Sequence, residues 1–253
     1  MSKRQWILKL KQYKYILIEL VMTGILLGLC VSIYNKRADA MESASKDATF
    51  AKVCYLTFDD GPSKNSKRIL DILAKYDAKA TFFLIGSQVC EENRDIIERI
   101  VEDGHTIGLH SNVHRFEKLY AGVDVCVQDF EAQYGLLKEE YGIDTRVFRF
   151  PGGSACSYMN GQRQSYIEAM RKKGFVGFDW HVSGEDSYGN PTVWSIQKNI
   201  FDNIGDYESP IILLHDINTA DATVDALPGI LEQLKSEGYV FETLAGAEEY
   251  IYR

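Results

Sequence analysis

The chain has 253 residues, 45% of them hydrophobic and 25% charged, with a formal net charge of −8. That composition excludes a disordered chain, a collagen-like repeat and a polytopic membrane protein. The charge is unevenly placed: residues 1–40 carry seven basic and two acidic side chains, whereas residues 41–253 carry 21 basic and 34 acidic ones, a balance of −13 that offers nucleic acid no basic stripe.

Residues 1–14 form a basic tail, and residues 15–34 read YILIELVMTGILLGLCVSIY, an apolar run of twenty. As a helix that run spans about 30 Å, the thickness of a bilayer core. Five Lys/Arg precede it and Lys36 and Arg37 follow, so the positive-inside bias leaves the N-terminus cytoplasmic and the rest of the chain outside. Glu19 lies in the first turns of the run, within reach of the headgroups. Ala38-Asp39-Ala40 has the small-x-small form of a signal-peptidase site, so a cleaved leader is the alternative to a retained anchor. Either way the C-terminal part is exported, with residues 35–51 as a polar linker to a domain over 52–253. Of five cysteines, Cys30 lies in the apolar run; for Cys54, Cys90, Cys126 and Cys156 two disulfides and buried free thiols both fit an exported domain of this size.

Beyond the linker, strand-like runs at 53–58, 80–86, 105–110, 146–150, 175–180, 210–215 and 239–244 alternate with amphipathic stretches such as SKRILDILAKY, RDIIERIVEDG, DFEAQYGLLKEEYG and DALPGILEQLKSEG. Seven βα repeats predict a parallel sheet, either doubly wound or closed into a barrel. The barrel is favoured because Asp59, Asp60, His110, Arg149, Asp179, Trp180 and His215 all fall at or just beyond the C-terminal ends of predicted strands, where barrel sites assemble.

Thr57-Phe58-Asp59-Asp60-Gly61-Pro62 places two carboxylates directly after a strand. Neighbouring side chains of extended chain point opposite ways, so one is placed to bind a metal while the other faces a reacting water; a plain Asp-Asp-Gly surface turn is the alternative. His110 and His114 are spaced i, i+4 and share a face on a helical turn, where with one carboxylate they make a cation site with open positions. Arg149-Phe150-Pro151-Gly152-Gly153 ends the fourth strand with a fixed cation and a loop whose backbone allows close approach of a ligand. His215 emerges from an apolar run, suited to proton donation near neutral pH. His105 and His181 lack such company and read as structural or rim residues.

In this order the TFDDGP turn, the HSxxH pair, the RxPxG-like loop, the Asp179-Trp180 pair and the LxH strand end resemble the polysaccharide deacetylases with the NodB-homology domain, carbohydrate esterase family 4, from about Val53 to Leu244. The resemblance implies a distorted (β/α)7 barrel and a metal-dependent hydrolase that deacetylates N-acetylglucosamine polymers, foremost peptidoglycan of Gram-positive cell walls. Chitin oligomers, poly-N-acetylglucosamine and acetyl-xylan are the alternative substrates, and a catalytically silent glycan-binding domain is the reading from another class. The resemblance further implies that Asp60, His110 and His114 hold a divalent metal, zinc or a related ion such as cobalt. Asp59 is then the general base toward the attacking water, and Arg149 orients it. His215 is the acid that protonates the leaving amine, with Asp179 as its carboxylate partner, and Ser111 supports the histidine loop. Pro151, Gly152, Trp180 and Leu213 line the substrate pocket. An ionised base and a protonated acid together predict a bell-shaped pH profile. Two departures stand out: Gly152 replaces a commonly aromatic residue, removing a ring from the pocket wall, and a later acidic-aromatic element is reduced to Glu185-Asp186-Ser187-Tyr188.

Overall fold

The computed structural model describes residues 52–251. The basic tail, the apolar run 15–34, the linker and Cys30 lie outside the described residues. No helix among the described residues is long and apolar enough to cross a membrane.

Eight strands are present among those residues: β1 (Lys52–Gly61), β2 (Ala80–Leu84), β3 (Thr106–Leu109), β4 (Val147–Phe148), β5 (Val176–Gly177), β6 (Val182–Ser183), β7 (Ile211–His215) and β8 (Tyr239–Phe241). All seven expected strands form, and β6 is additional. The sheet order is β5-β4-β3-β2-β1-β7-β6, with β8 beside the start of β1, and every pairing is parallel. The sheet curls without a ladder between its edge strands β5 and β6. The C-terminal segment lies along the β5 edge instead, where Tyr250 bridges Phe178.

The helices are α1 (Ser66–Lys75), α2 (Arg94–Glu102), α3 (Phe116–Leu119), α4 (Val123–Tyr141), α5 (Arg163–Lys172), α6 (Val193–Asn203) and α7 (Asp221–Ser236). Their apolar spacing explains what they bury. α1 turns Ile69, Leu70 and Leu73 inward, and α2 turns in Ile97 and Ile100. α4 stops at Gly142, whose left-handed φ of 68° a glycine adopts without strain.

β2, ATFFL, is buried at all five positions, as befits a strand covered on both faces. Alternation then divides its side chains. Phe82 joins the large core shared with the helices, while Phe83 joins a smaller cluster with Val147, Phe178, Ile211 and Leu244 that contains no helical residue. The second cluster marks the inner face of the curled sheet. By the same period of two, Thr57 and Asp59 of β1, Arg149 just after β4, and Leu213 and His215 of β7 share that inner face. The core strands thus deliver polar groups to the C-terminal end of their inner surface.

Candidate active site

β1 does not run straight through its two aspartates. Its register with β2 shifts between Asp59 and Gly61, and Asp60 takes a left-handed φ of 73°. This bulge corrects the expectation that the two side chains point apart: an inserted residue turns Asp60 toward the same site as Asp59. Asp59 Oδ2 lies 3.7 Å and Asp60 Oδ1 3.4 Å from His110 Nε2. Gly61 is required next, because a Cβ there would stand 2.5 Å from Asp216 Oδ2. Asp216 is fully buried, accepts hydrogen bonds from the hydroxyls of Ser63 and Ser66, and donates its backbone N–H to Asp59 O at 2.8 Å.

The two histidines are not on a helix. Residues 110–115 form a loop in which Ser111 (φ 68°) and His114 (φ 48°) are left-handed, and this loop, not a helical turn, brings the rings to a centroid separation of 5.1 Å. Ser111 Oγ accepts the His114 N–H at 2.9 Å. Two side chains one turn apart on α4 hold the loop from behind. Asp129 Oδ2 accepts the Asn112 N–H at 2.7 Å, and the fully buried Gln133 accepts the His110 N–H at 3.1 Å while donating to Leu84 O at 2.5 Å. Sequence reasoning passed over both. The available signal was a polar Gln133 on the stripe of Phe130 and Leu137, a core position that a lone amide occupies only with partners.

Asp60, His110 and His114 bring one ligand atom each within 4.8 Å of one another. His110 Nδ1 is 3.0 Å from Arg149 O, a carbonyl that only accepts, so Nδ1 carries the proton and Nε2 is presented to the cluster. Asp60 Oδ1 is buried without a well-oriented hydrogen bond, although His114 Nε2 stands 3.1 Å away. A buried anionic oxygen with two imidazole nitrogens beside it and no well-oriented hydrogen bond to either fits a divalent cation. Burial alone would raise the Asp60 carboxyl, but the His110 imidazole beside it and the charges of His110, His114 and His215 bring it down to about 2. Burial also works against charge on His110, yet Asp59 and Asp60 outweigh it and raise its pKa; His114, buried beside His110, is lowered.

Arg149 is fully buried, and four hydrogen bonds hold its guanidinium. Nη1 donates to Asp59 Oδ1 and Thr57 Oγ1, each at 2.7 Å, Nε to Phe178 O at 2.8 Å and Nη2 to Asp179 O at 3.0 Å. Its face lies 4.2 Å over the Phe83 ring. Such a planar, multiply held cation fixes the Asp59 carboxylate on the inner face.

The carboxylate paired with His215 is Asp186, which corrects the assignment of Asp179. Asp186 Oδ1 is 2.8 Å from His215 Nδ1, and Oδ2 accepts the His215 N–H at 2.9 Å and the Thr223 hydroxyl at 2.7 Å. Asp179 instead accepts the backbone N–H and hydroxyl of Ser154 at 2.8 and 2.6 Å, which secures the loop after Arg149. The physical reason is β6: this unforeseen strand beside β7 carries the chain past His215, so Asp186 comes within reach. Burial would lower the His215 imidazolium, but the bond and charge of Asp186, with Asp59 and Asp60 beyond, bring it up to about 9.

The remaining expected residues fall around this centre. Pro151 is buried with its carbonyl accepting the Tyr120 hydroxyl at 2.7 Å, and Gly152 is exposed at φ 76°. Trp180 is half-buried, 5.7 Å from the Arg149 guanidinium, and Leu213 is buried in β7. His105 and His181 stand apart from the site. His105 accepts the Ala80 N–H and is lowered to about 4 by burial, and His181 accepts the Ile211 N–H. Cys54, Cys90, Cys126 and Cys156 are free thiols.

The polysaccharide deacetylase family profile matches residues 46–176. A peptidoglycan-N-acetylglucosamine deacetylase of Bacillus cereus is 37% identical over 195 residues, covering 76% of this chain and 68% of the relative. A bifunctional xylanase/deacetylase of Pseudobutyrivibrio xylanivorans is also 37% identical over 195 residues, 77% of this chain but 30% of that longer protein. Among solved structures, the catalytic domain of peptidoglycan N-acetylglucosamine deacetylase from Eubacterium rectale superimposes with a TM-score of 0.73 at 29% identity, covering 80% of this chain and 93% of that one. The curled parallel α/β fold is thus the fold of these enzymes. With its carboxylate–histidine cluster and the Asp59–Arg149 and His215–Asp186 pairs on the same sheet face, the chain belongs to the polysaccharide deacetylase family and is a metal-dependent hydrolase.

Proposed function

We propose that the chain is a zinc-dependent N-deacetylase that hydrolyses the acetamide of N-acetylglucosamine residues in peptidoglycan, working outside the cell from an N-terminal membrane tether. One observation carries the reaction: the Asp60, His110 and His114 cluster is flanked by a carboxylate fixed on a buried arginine and by an imidazole fixed on a buried carboxylate. Amide hydrolysis needs a deprotonated water and a proton for a poor amine leaving group. Asp59 accepts the first proton, and His215, charged at neutral pH, donates the second. A bound divalent cation supplies Lewis-acid charge for the water and the carbonyl oxygen. One carboxylate with two imidazoles is a donor set suited to zinc.

Peptidoglycan is favoured by the names of the Bacillus cereus and Eubacterium rectale proteins. The tether and the exported location rest on the apolar run 15–34 and the basic residues before it. A second reading, deacetylation of xylan, is favoured by the xylanase/deacetylase relative. The test is acetate and free-amine release by the purified full chain with zinc, across peptidoglycan, chitopentaose, poly-N-acetylglucosamine and acetyl-xylan. Equal acetate and amine from peptidoglycan is the expected result. Acetate from xylan alone, without new amine, would replace the amidase with an esterase, and glycan binding without acetate would leave only a binding domain.

A further inference from the structure

Gly152 leaves no hole where a ring is absent. At its φ of 76° a Cβ would meet Phe116 Cε1 at 3.0 Å, so the space beside Pro151 is filled by a phenyl ring from α3, two residues after His114. Phe116 meets the His114 ring edge-on at 5.6 Å and the Tyr158 ring at 5.4 Å, while Tyr120 packs behind it at 6.1 Å and binds the Pro151 carbonyl. Tyr158 is 43% exposed, and its hydroxyl donates to Glu117 Oε1 at 3.2 Å, which fixes its ring from α3. Two aromatic rings, Phe116 of α3 and then Tyr158, therefore step from the candidate cation ligand His114 out to solvent.

We propose that Phe116 and Tyr158 form a sugar-binding platform that holds the pyranose ring next to the one being deacetylated. The inference rests on the glycan-deacetylase reading. A polymer substrate continues past the reacting acetyl group and needs a surface to leave along, and this series of rings begins at the reaction centre. A pyranose presents apolar C–H groups on its faces and hydroxyls at its edge. The faces pack on an aromatic ring, and the edge reaches a rim acceptor such as Glu117.

The experiment measures steady-state kinetics and chitopentaose affinity for the zinc-loaded full chain and for Tyr158→Ala and Tyr158→Phe. Loss of the ring should raise KM for the oligosaccharide about tenfold and weaken chitopentaose binding equally, with kcat falling less than about twofold, the pattern of binding lost alike from ground and transition states. Tyr158→Phe should restore both. Tyr158 is exposed, so its replacement leaves the core intact; Phe116→Leu, which keeps the core apolar, should reproduce the KM effect. Unchanged affinity and KM in Tyr158→Ala would overturn the platform. Were the parent to act on xylan oligomers alone, the amino-sugar reading would fall, but the same comparison on those oligomers would still decide whether Tyr158 holds a pyranose.

Discussion

At the residue scale the site separates the proposed base from the proposed acid by giving each a different fixed partner. Asp59 is held by the Arg149 guanidinium, whereas His215 is held by Asp186, whose hydrogen bond and charge outweigh burial and bring the imidazolium up to about 9 from an ordinary 6.5. A raised histidine pKa means the acid stays charged through neutral pH and is lost as pH rises through about 9. The alkaline limb of kcat/KM should therefore lie near pH 9, and Asp186→Asn should move it down toward 6.5, which a pH profile of both proteins reads directly. A limb unmoved by that substitution would assign it to another group. Asp59→Asn should lower kcat by roughly 10²- to 10⁴-fold, the usual worth of a positioned base, with zinc still bound; full activity would remove Asp59 from that role. The chemistry-bearing types were legible because each sits where a strand ends. The pairing of His215 was not, because it depends on a two-residue strand too short to show a period and on a contact between residues 29 apart.

At the element scale the apolar runs gave the seven main strands and their parallel pairing without difficulty. The β1 bulge and the left-handed residues of the histidine loop escaped notice, because Asp60, Ser111 and His114 are not the glycines that announce such backbone. Conformations of this kind cost about 1 kcal/mol or more each and persist only when neighbours over-determine them. For the histidine loop those neighbours are Asp129 and Gln133, one helical turn apart on α4. Gln133→Leu removes one of the two acceptors of His110 N–H, the other being Leu84 O at 3.0 Å, and should weaken zinc binding by about 10- to 100-fold, as loss of a ligand's support does elsewhere. Titration against a chromophoric chelator measures this. Asp129→Asn keeps an acceptor oxygen and should bind zinc nearly as well as the parent. If Gln133→Leu lowered Tm but left zinc affinity unchanged, the amide would be a packing element and not a support for the ligand.

At the scale of the whole molecule, the candidate ligands come from the first strand and the loop after the third, while the clamp on the proposed base and the proposed acid come from the fourth and seventh strands. Asp59 and Asp60 are adjacent anions on a buried inner face, and the Arg149 guanidinium is committed to the first of them. The described residues near Asp60 offer it only imidazoles, whose protonation costs desolvation. A divalent cation would supply the missing charge and tie the first strand to the histidine loop, so binding should stabilise the folded chain. At free zinc 100 times the Kd, linkage gives about 2.7 kcal/mol. For a domain of this size that corresponds to a rise in Tm of roughly 5–10 °C. Differential scanning calorimetry with zinc and with a chelator should show this rise in the parent and none in a His110→Ala/His114→Ala double variant. The sign with pH follows from His110: its pKa in the metal-free chain is raised above the ordinary 6.5, so protons hold the imidazole more tightly there and the cation must displace them. The zinc-dependent rise in Tm should therefore shrink as pH falls through and below that range. A rise that stayed constant down to pH 5, or that survived in the double variant, would place the stabilising cation somewhere other than Asp60, His110 and His114.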